Sequence, residues 1–231
     1  MLNTLLRLKG VAGSARHALW GLVLRHQFFD PVRETKGTEN PIAPGQLLGY
    51  HWRGRRGPYW PVHKTSMVRG SWTNVHIGVD VTPGASPGCY IQGIGTIRVG
   101  DYTEIGPQVG IISANHDMHD VRIHLPGHVE IGRYCWLGMG SLIMPNVTLG
   151  DFTIVAAGAV VTKCFPEGHV VIGGNPARPI QQLDVEKCVR YDNPHKYHGF
   201  LSQRAFQDLE NRLLNPVFRN RPAPPRTRNS Q

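Results

Sequence analysis

Residues 131–166 read IGRYCW-LGMGSL-IMPNVT-LGDFTI-VAAGAV-VTKCFP, which are six consecutive blocks of six residues. The first position of every block is Ile, Leu or Val, the second is Gly or Ala in four blocks, and the fifth is a small residue in five. The first column alone has a chance on the order of one in ten thousand, because branched aliphatics make up about a fifth to a quarter of ordinary residues. An earlier run from Val99 to Ile111 repeats the pattern, and weaker blocks begin near Ile77. The chain therefore contains an internal repeat of period six.

A six-residue repeat is too short for a helical repeat or a propeller blade, but it suits one short strand and one corner. Three such sides close a triangular coil of about 18 residues, with the aliphatic first position inside and the small fifth position beside it. Gly at the second position tolerates the backbone of the corner. Because each coil buries its interior only against its neighbours, several coils must stack. An ordinary sandwich with accidental spacing does not explain an unbroken phase over six blocks.

The domain organisation follows from where the repeat stops. With 231 residues, 40% of them hydrophobic, the chain is most simply one domain with extensions. We predict an N-terminal, partly helical extension over 1–60, the repeat domain over 61–182, and a C-terminal extension over 183–231. Residues 30–65, rich in Pro and Gly, are expected to be irregular. The C-terminal extension is expected to contain a helix near Phe206 and a disordered basic tail from 215.

The net charge of +9 belongs to the two ends of the chain. Residues 1–29 contain four basic and no acidic residues, and residues 211–231 contain five basic and none acidic. Leucines at helical spacing predict a basic amphipathic helix over 2–25. This helix packs on the main body or, in the alternative, makes a peripheral contact with a membrane. No nucleic-acid-binding module accompanies the basic residues, so a nucleic-acid partner is not expected.

The four cysteines are widely spaced and form no CxxC pair, which predicts reduced thiols rather than disulfides or a zinc knuckle. No apolar run is long enough to span a bilayer, and no signal peptide with a cleavage site is recognisable. The expected location is the cytoplasm, with membrane association through the N-terminal helix as the alternative.

The period-six pattern resembles the hexapeptide-repeat acyltransferases, and among them the sugar and polysaccharide O-acetyltransferases related to maltose, galactoside, nodulation and colanic-acid acetyltransferases. The resemblance covers about residues 60–182. It implies an all-β, left-handed parallel β-helix shaped as a triangular prism, a handedness that departs from the usual right-handed crossover. It also implies acetyl-CoA as donor, no metal, and a homotrimer with sites between adjacent prisms.

A loop interrupts the repeat. Ile111 is in phase and Ile131 restarts the pattern, but the interval is not a multiple of six, so the segment 113–130 must leave the coil. The resemblance implies that His116 in this loop is the general base. Neutral imidazole suits the removal of a proton from a sugar hydroxyl that attacks the thioester, without an acyl-enzyme. The neighbouring polar residues are interpreted as acceptor contacts (Asn115, Asp117) or as bystanders (His119, His124, His128).

The resemblance also implies a CoA-binding surface. Lys and Arg suit phosphate electrostatically, and a backbone N–H suits the oxyanion of the tetrahedral intermediate. The implied positions are Trp136 at the wall of the pantetheine channel, the backbone of Met139 and Ala157 at the pantetheine amides, Thr162 and Lys163 near the adenine and phosphates, Arg178 near the 3′-phosphate, and the turn at Gly138–Met139 for the oxyanion.

The identity of the acceptor stays open at this stage. Residues 89–96 read CYIQGIGT, which departs from the Asn and Asp that some relatives place there, so Tyr90 and Gln92 are the substitute acceptor contacts. A sugar or glycan hydroxyl is the first interpretation; an amino-sugar N-acetyltransferase or a xenobiotic acetyltransferase is the second. Two interpretations of other classes are a γ-carbonic-anhydrase-like metalloenzyme, whose wider histidine spacing does not match His116-x-x-His119, and a non-catalytic solenoid scaffold.

Overall fold

The computed structural model describes residues 26–218, and most of its regular structure is short strands. The helices are α1 (Asp30–Glu34), α2 (Pro44–Trp52) and α3 (Gln203–Arg212), with 3-10 turns at Gln27–Phe29, Trp72–Asn74, Val185–Lys187 and Pro216–Phe218. The strands are β1 (Met67–Gly70), β2 (Val75–Ile77), β3 (Tyr90–Gly93), β4 (Thr96–Val99), β5 (Glu104–Ile105), β6 (Gly110–Ile112), β7 (Ala114–His116), β8 (His124–Pro126), β9 (His128–Ile131), β10 (Trp136–Leu137), β11 (Leu142–Ile143), β12 (Val147–Leu149), β13 (Thr153–Val155), β14 (Val160–Val161), β15 (Val170–Gly174), β16 (Ala177–Gln182), β17 (Tyr197–His198) and β18 (Leu201–Ser202).

Three sheets of parallel strands form the sides of a prism. Side A contains β2, β4, β9 and β12; side B contains β5, β10, β13 and β15; side C contains β1, β3, β6, β11 and β14. The chain visits A, B and C in turn, and strands one coil apart pair in parallel, as Trp136 does with Ile154 and Leu142 with Val160. The predicted left-handed parallel β-helix is confirmed, and the paired residues are 18 apart because each three-sided coil contains 18 residues. Strand β16 turns back and closes side B in the antiparallel direction.

The interior of the prism has the side chains that the repeat predicts. The first-position residues Ile131, Leu137, Ile143, Leu149, Val155 and Val161 are each at most 1% exposed. The small fifth-position residues (Cys135, Ser141, Val147, Thr153, Ala159) are buried beside them. This continuous apolar column is the core, and burial of each large aliphatic contributes about 1.5–3 kcal/mol.

The corners require glycine because successive coils approach closely there. A Cβ on Gly132 would lie 2.5 Å from the backbone nitrogen of Asp151 in the next coil. At the corner between sides A and B, four residues with a positive φ stack their rings along the prism axis, with neighbouring ring centroids about 5 Å apart. They are Tyr102, Tyr134, Phe152 and His169. Three of these rings, Tyr102, Tyr134 and Phe152, occupy the fourth position of their hexads. That recurrence is a sequence signal for the ring stack, and the sequence analysis did not use it.

The N-terminal extension caps the first coil. Tyr59 is fully buried, and its hydroxyl donates to the carbonyl of Val75 and accepts from the N–H of Ile77, both at 3.1 Å. The expectation that 30–65 is irregular is wrong, because α1 and α2 lie within it. Helix α2 begins at Pro44, where a missing N–H costs nothing, and buries Leu47 and Tyr50.

The C-terminal extension returns along the prism to the same end. Helix α3 buries Phe206, whose ring stacks on His198 at 3.8 Å. The predicted helix over 2–25 and residues 219–231 of the predicted tail lie outside the described residues. Residues 215–218, also assigned to the disordered tail, instead include the 3-10 turn Pro216–Phe218, which buries Phe218. Within residues 26–218, no helix has the length and apolar character that crossing a bilayer requires.

The interruption of the repeat is shorter than predicted. Residues 114–126 form a hairpin in which β7 pairs antiparallel with β8. Residues 128–130, assigned to the loop from the sequence, belong to β9 on side A, where Val129 pairs with Ile97 and Ile131 with Val99. The alternation of buried Val129 and Ile131 with the outward Glu130 explains why the chain rejoins the coil before the repeat is recognisable.

Candidate active site

His116 lies on an extruded hairpin at the corner between sides C and A. It occupies the last position of β7, opposite His124 on β8, and its side chain is exposed. The base of the hairpin is tied to the coil, because the N–H of Gly127 donates to the carbonyl of Ser113 at 2.7 Å. The rigid prism therefore presents the imidazole on a short hairpin whose base is hydrogen-bonded to the coil.

The two nitrogens of His116 have different roles. Nδ1 is hydrogen-bonded to the carbonyl of Val121 across the hairpin. A carbonyl only accepts, so Nδ1 carries the proton and donates, and the neutral ring keeps the lone pair on Nε2. This tautomer is the one that a general base acting through Nε2 requires.

His124, interpreted from the sequence as a bystander, contacts the candidate base. The rings of His116 and His124 lie with centroids 4.4 Å apart and planes tilted by 45°. The pairing of β7 with β8 creates this contact, and the spacing along the chain does not reveal it. His119 fits the bystander interpretation, since its side chain is 92% exposed and its nearest acid is Asp117 at 3.8 Å.

Asp117 shapes the turn of the hairpin. Its Oδ1 accepts from the backbone N–H groups of His119 at 2.7 Å and Asp120 at 3.0 Å. These hydrogen bonds lower the pKa of the Asp117 carboxyl below its usual value. Asn115, by contrast, is exposed beside His116 and pairs with Leu125. The two predicted acceptor contacts therefore differ: Asn115 faces solvent, whereas one oxygen of Asp117 is committed to the turn.

Gln92 supports the hairpin from below. It is 8% exposed, and its Oε1 accepts the N–H of Ala114 at 2.9 Å, at the point where β7 begins. That oxygen already accepts one hydrogen bond from the hairpin, and the role of Gln92 as an acceptor contact stays a prediction. Tyr90, two residues earlier on the outer surface of side C, is only partly buried.

The implied CoA-binding residues lie at two different corners. Trp136 is 56% exposed on side B, and Met139 is 55% exposed at the corner between B and C. Ala157 is one coil above Met139, and Arg178 is at the same corner on β16, opposite Gly173. We call this set, with Trp136, the tryptophan edge.

Thr162 and Lys163 belong to the other corner. They follow β14 of side C and are exposed at the corner between C and A, where the hairpin also leaves the coil. We call this second set, with His116, the histidine edge. One side of the prism separates the two edges, which is about five residues of strand or roughly 15 Å. A single prism does not bring His116 to the tryptophan edge.

The turn proposed for the oxyanion is only partly available. The N–H of Gly138 donates to the carbonyl of Val155 at 2.8 Å, and the carbonyl of Met139 accepts from Gly158 at 2.8 Å. The coil therefore uses the Gly138 donor, and the N–H of Met139 is the candidate donor at this corner.

Glu104, which the sequence reasoning did not single out, lies next to Trp136 in the outer row of side B. Burial, reinforced by the nearby carboxylates of Glu39 and Asp80, raises the pKa of Glu104 to about 7. Its Oε1 accepts from Asn40 Nδ2 at 3.1 Å, which favours the charged form but does not offset burial. Glu104 thus holds its proton more tightly in the folded protein than in the unfolded chain.

This retained proton predicts a pH dependence of stability. Because the folded state binds more protons than the unfolded state between pH 4.5 and about 7, the contribution of Glu104 to stability falls as pH rises through that window. Glu104→Gln removes the charge and can keep the hydrogen bond from Asn40. We expect the variant to gain thermal stability over the native chain progressively up to pH 7 and to stay more stable above it. Parallel melting-temperature profiles from pH 4 to 8 would contradict this assignment.

A cleft of about 600 Å³ lies elsewhere, along the outer face of side A, with His76, Arg98, Arg133 and Phe218 in its wall. Of the site residues implied by the resemblance, none borders it. Within the described range 26–218, no three His, Cys, Asp or Glu side chains are placed to hold a metal ion. The residues implied by the resemblance therefore lie on the two edges and not in this cleft.

Comparison with known proteins gives matches over the repeat region. The family described as "bacterial transferase hexapeptide (six repeats)" matches residues 128–163. A putative acetyltransferase of Schizosaccharomyces pombe is 32% identical over 119 residues, covering 49% of this chain and 55% of that protein. The galactoside O-acetyltransferase of Escherichia coli is 32% identical over 117 residues, covering 48% of this chain and 56% of that protein. The chain spans about half the length of these curated relatives.

A solved structure supports the fold. A galactoside acetyltransferase in complex with coenzyme A superposes with a TM-score of 0.53 at 24% identity, covering 78% of this chain and 88% of the other. Sequence and fold therefore agree, and the similarity of this chain to the hexapeptide-repeat acyltransferases, indicated by its six-residue period, is confirmed.

Proposed function

We propose that the protein is an acetyltransferase that moves the acetyl group of acetyl-CoA to a hydroxyl of a sugar or glycan, with His116 as general base. The observation that carries the proposal is the hydrogen bond from His116 Nδ1 to the Val121 carbonyl, which leaves Nε2 as the basic nitrogen of an exposed imidazole. The names of the relatives, acetyltransferases that include a galactoside O-acetyltransferase, support both the donor and the acceptor class.

The reaction is a direct transfer in a ternary complex. The acceptor hydroxyl attacks the thioester carbonyl carbon while His116 Nε2 takes its proton, and the developing oxyanion accepts from the N–H of Met139. Collapse of the tetrahedral intermediate breaks the carbon–sulfur bond and releases the CoA thiolate. The thiolate receives the proton from the imidazolium, so the products are the acetyl ester, CoA thiol and neutral His116.

The separation of the two edges supports an oligomeric site. If three prisms pack around a common axis, the histidine edge of one subunit meets the tryptophan edge of the next, which removes the gap of roughly 15 Å. The hairpin carries exposed apolar side chains suited to such a contact, including Met118 at 91% and Ile123 at 50% exposure. The proposed assembly is a homotrimer with three equivalent sites.

The proposed function is tested by thiol release from acetyl-CoA with a panel of acceptors. The panel contains neutral mono- and oligosaccharides, the matching amino sugars, and water alone as the blank. Release that depends on a hydroxyl acceptor supports O-acetylation. Release with amino sugars only would replace it by N-acetylation, and no release with any acceptor, together with no acetyl-CoA binding, would favour a scaffold.

Arg178 provides a test of how CoA is bound. It is exposed on β16, where its Nη1 donates to the carbonyl of Ala177 at 3.0 Å. If Arg178 pairs with the 3′-phosphate, Arg178→Gln should raise the KM for acetyl-CoA by about 5- to 30-fold with little change in kcat. The variant should also lose the preference of the native protein for acetyl-CoA over its 3′-dephospho analogue.

The matched control for this prediction is Arg204→Gln, which removes an exposed arginine from α3. A preference for the 3′-phosphate that survives in Arg178→Gln would contradict the assignment. Equal effects of both variants would indicate a general charge effect.

A further inference from the structure

One exposed surface lies outside the machinery described above. On α2, Leu47 and Tyr50 face the core, whereas Leu48 and Trp52 lie one turn apart on the opposite face. Leu48 is 44% exposed and Trp52 is 92% exposed, while Trp60 in the same extension is 1% exposed. Arg53, Arg55 and Arg56 follow directly and are exposed. We call these five residues (Leu48, Trp52, Arg53, Arg55 and Arg56) the Trp52 patch.

The stretch of chain that contains this patch carries formal charge of one sign. Residues 40–79 contain five basic residues and no Asp or Glu. The patch is also held firmly, because Tyr50 of α2 stacks on Phe200 with centroids 4.7 Å apart. The nearly fully exposed Trp52, with Leu48 beside it and three arginines next to it, forms an apolar surface with a basic margin, a combination that suits an amphipathic, anionic partner.

We infer that the Trp52 patch is a docking site for an anionic lipid bilayer. Tryptophan is favoured at the interface between headgroups and acyl chains, and an adjacent leucine adds apolar area that the interface can bury. Arginines that flank them gain from the negative surface potential of anionic headgroups, each by about a five-fold change in affinity. The patch combines two signals, apolar insertion and charge, and two such signals together give stable membrane association.

The position of the patch fits this partner. It lies in the extension that caps the first coil, and none of its five residues belongs to the hairpin or to the tryptophan edge. Phe28 contacts His51 of α2, with ring centroids 4.7 Å apart. Residues 1–25, which the sequence predicts to form a basic amphipathic helix, are joined to the chain just before Phe28.

Vesicle sedimentation with the full chain tests the inference. The native protein should bind vesicles of phosphatidylcholine and phosphatidylglycerol, and bind pure phosphatidylcholine much more weakly. Arg53→Gln with Arg56→Gln should weaken binding by about 10- to 30-fold. Trp52→Gln should weaken it by about ten-fold or more, because a tryptophan buries a large apolar area.

The matched control for charge is Arg204→Gln with Arg212→Gln, which removes two exposed arginines from α3. The matched control for apolar exposure is Val189→Gln, at a side chain that is 73% exposed. Both controls should bind vesicles like the native protein. Equal losses in the controls, or a changed oligomeric state in the patch variants, would overturn the inference, as would a preference for an oligonucleotide over vesicles.

Fluorescence quenching by brominated lipid locates the contact. Quenching should persist in Trp20→Phe and be largely lost in Trp52→Phe, while sedimentation of both variants remains close to native. The opposite pattern would assign membrane contact to residues 1–25 and overturn the proposed role of the Trp52 patch.

Discussion

Replacing His116 with Asn should lower kcat for acetyl transfer by about 10²- to 10⁴-fold and leave the affinity for CoA nearly unchanged. The loss corresponds to about 3–5 kcal/mol of transition-state stabilisation, the usual contribution of a positioned general base. The asparagine amide can still donate to the carbonyl of Val121, as His116 Nδ1 does, but it supplies no base at the position of Nε2. The variant therefore separates the chemical role of the ring from its structural role in the hairpin.

Two control variants sharpen this test. His119→Asn alters a 92%-exposed histidine in the same hairpin and should leave turnover within about two-fold of native. His124→Phe keeps a ring against His116, so it should retain most of the turnover if packing is the contribution of His124. Near-native turnover in His116→Asn, with the melting temperature unchanged, would remove His116 from the mechanism and leave the acetyltransferase assignment without its base.

The second large effect concerns stability. Ile143 is fully buried at the centre of the prism, paired with Ile111 below and Val161 above. Ile143→Ala should lower the free energy of unfolding by about 2–5 kcal/mol. The stacked coils cannot collapse into the cavity without breaking the backbone hydrogen bonds that join one coil to the next. Urea unfolding at a fixed protein concentration measures this loss.

Leu142→Ala is the matched control, since it deletes the same number of carbon atoms from the adjacent residue. Leu142 points outward from side C and is only partly buried, so its loss should cost about 1 kcal/mol or less. Equal costs at the two positions would mean that the alternation of inward and outward side chains on β11 is wrong.

The fold was largely predictable because the repeat is local and redundant. Each of six successive blocks places a branched aliphatic at its first position, so one irregular block does not change the interpretation. The six first-position residues between Ile131 and Val161 are all buried, as predicted. The hairpin was less predictable at its C-terminal end. The sequence assigns residues 128–130 to the loop, whereas in the structure Val129 pairs with Ile97 on side A. These two residues are 32 apart, which is not a multiple of six, so the repeat does not predict their pairing.

The sequence predicts a set of candidate site residues but not their arrangement in space. The spacing of the repeat singles out an extruded segment, and the resemblance attaches a role to His116 within it. Neither discloses that Gln92 supports the hairpin, that His124 contacts His116, or that Glu104 lies beside Trp136. Each of these contacts joins residues of different strands, and side-chain packing across strands leaves no periodic trace in the chain.

By itself, the amino-acid sequence determined the three-sided coil, its apolar column and the place where the coil is interrupted. Each block of six residues marks its own inward side chain, so the pattern can be recognised within a short stretch of the chain. Only the tertiary structure decided which nitrogen of His116 carries the proton, because that depends on the Val121 carbonyl that the hairpin brings across. It also decided that the histidine and tryptophan edges lie at different corners. That separation equals the width of one side of the prism. It is a distance in the folded coil, and the positions of these residues along the chain do not give it.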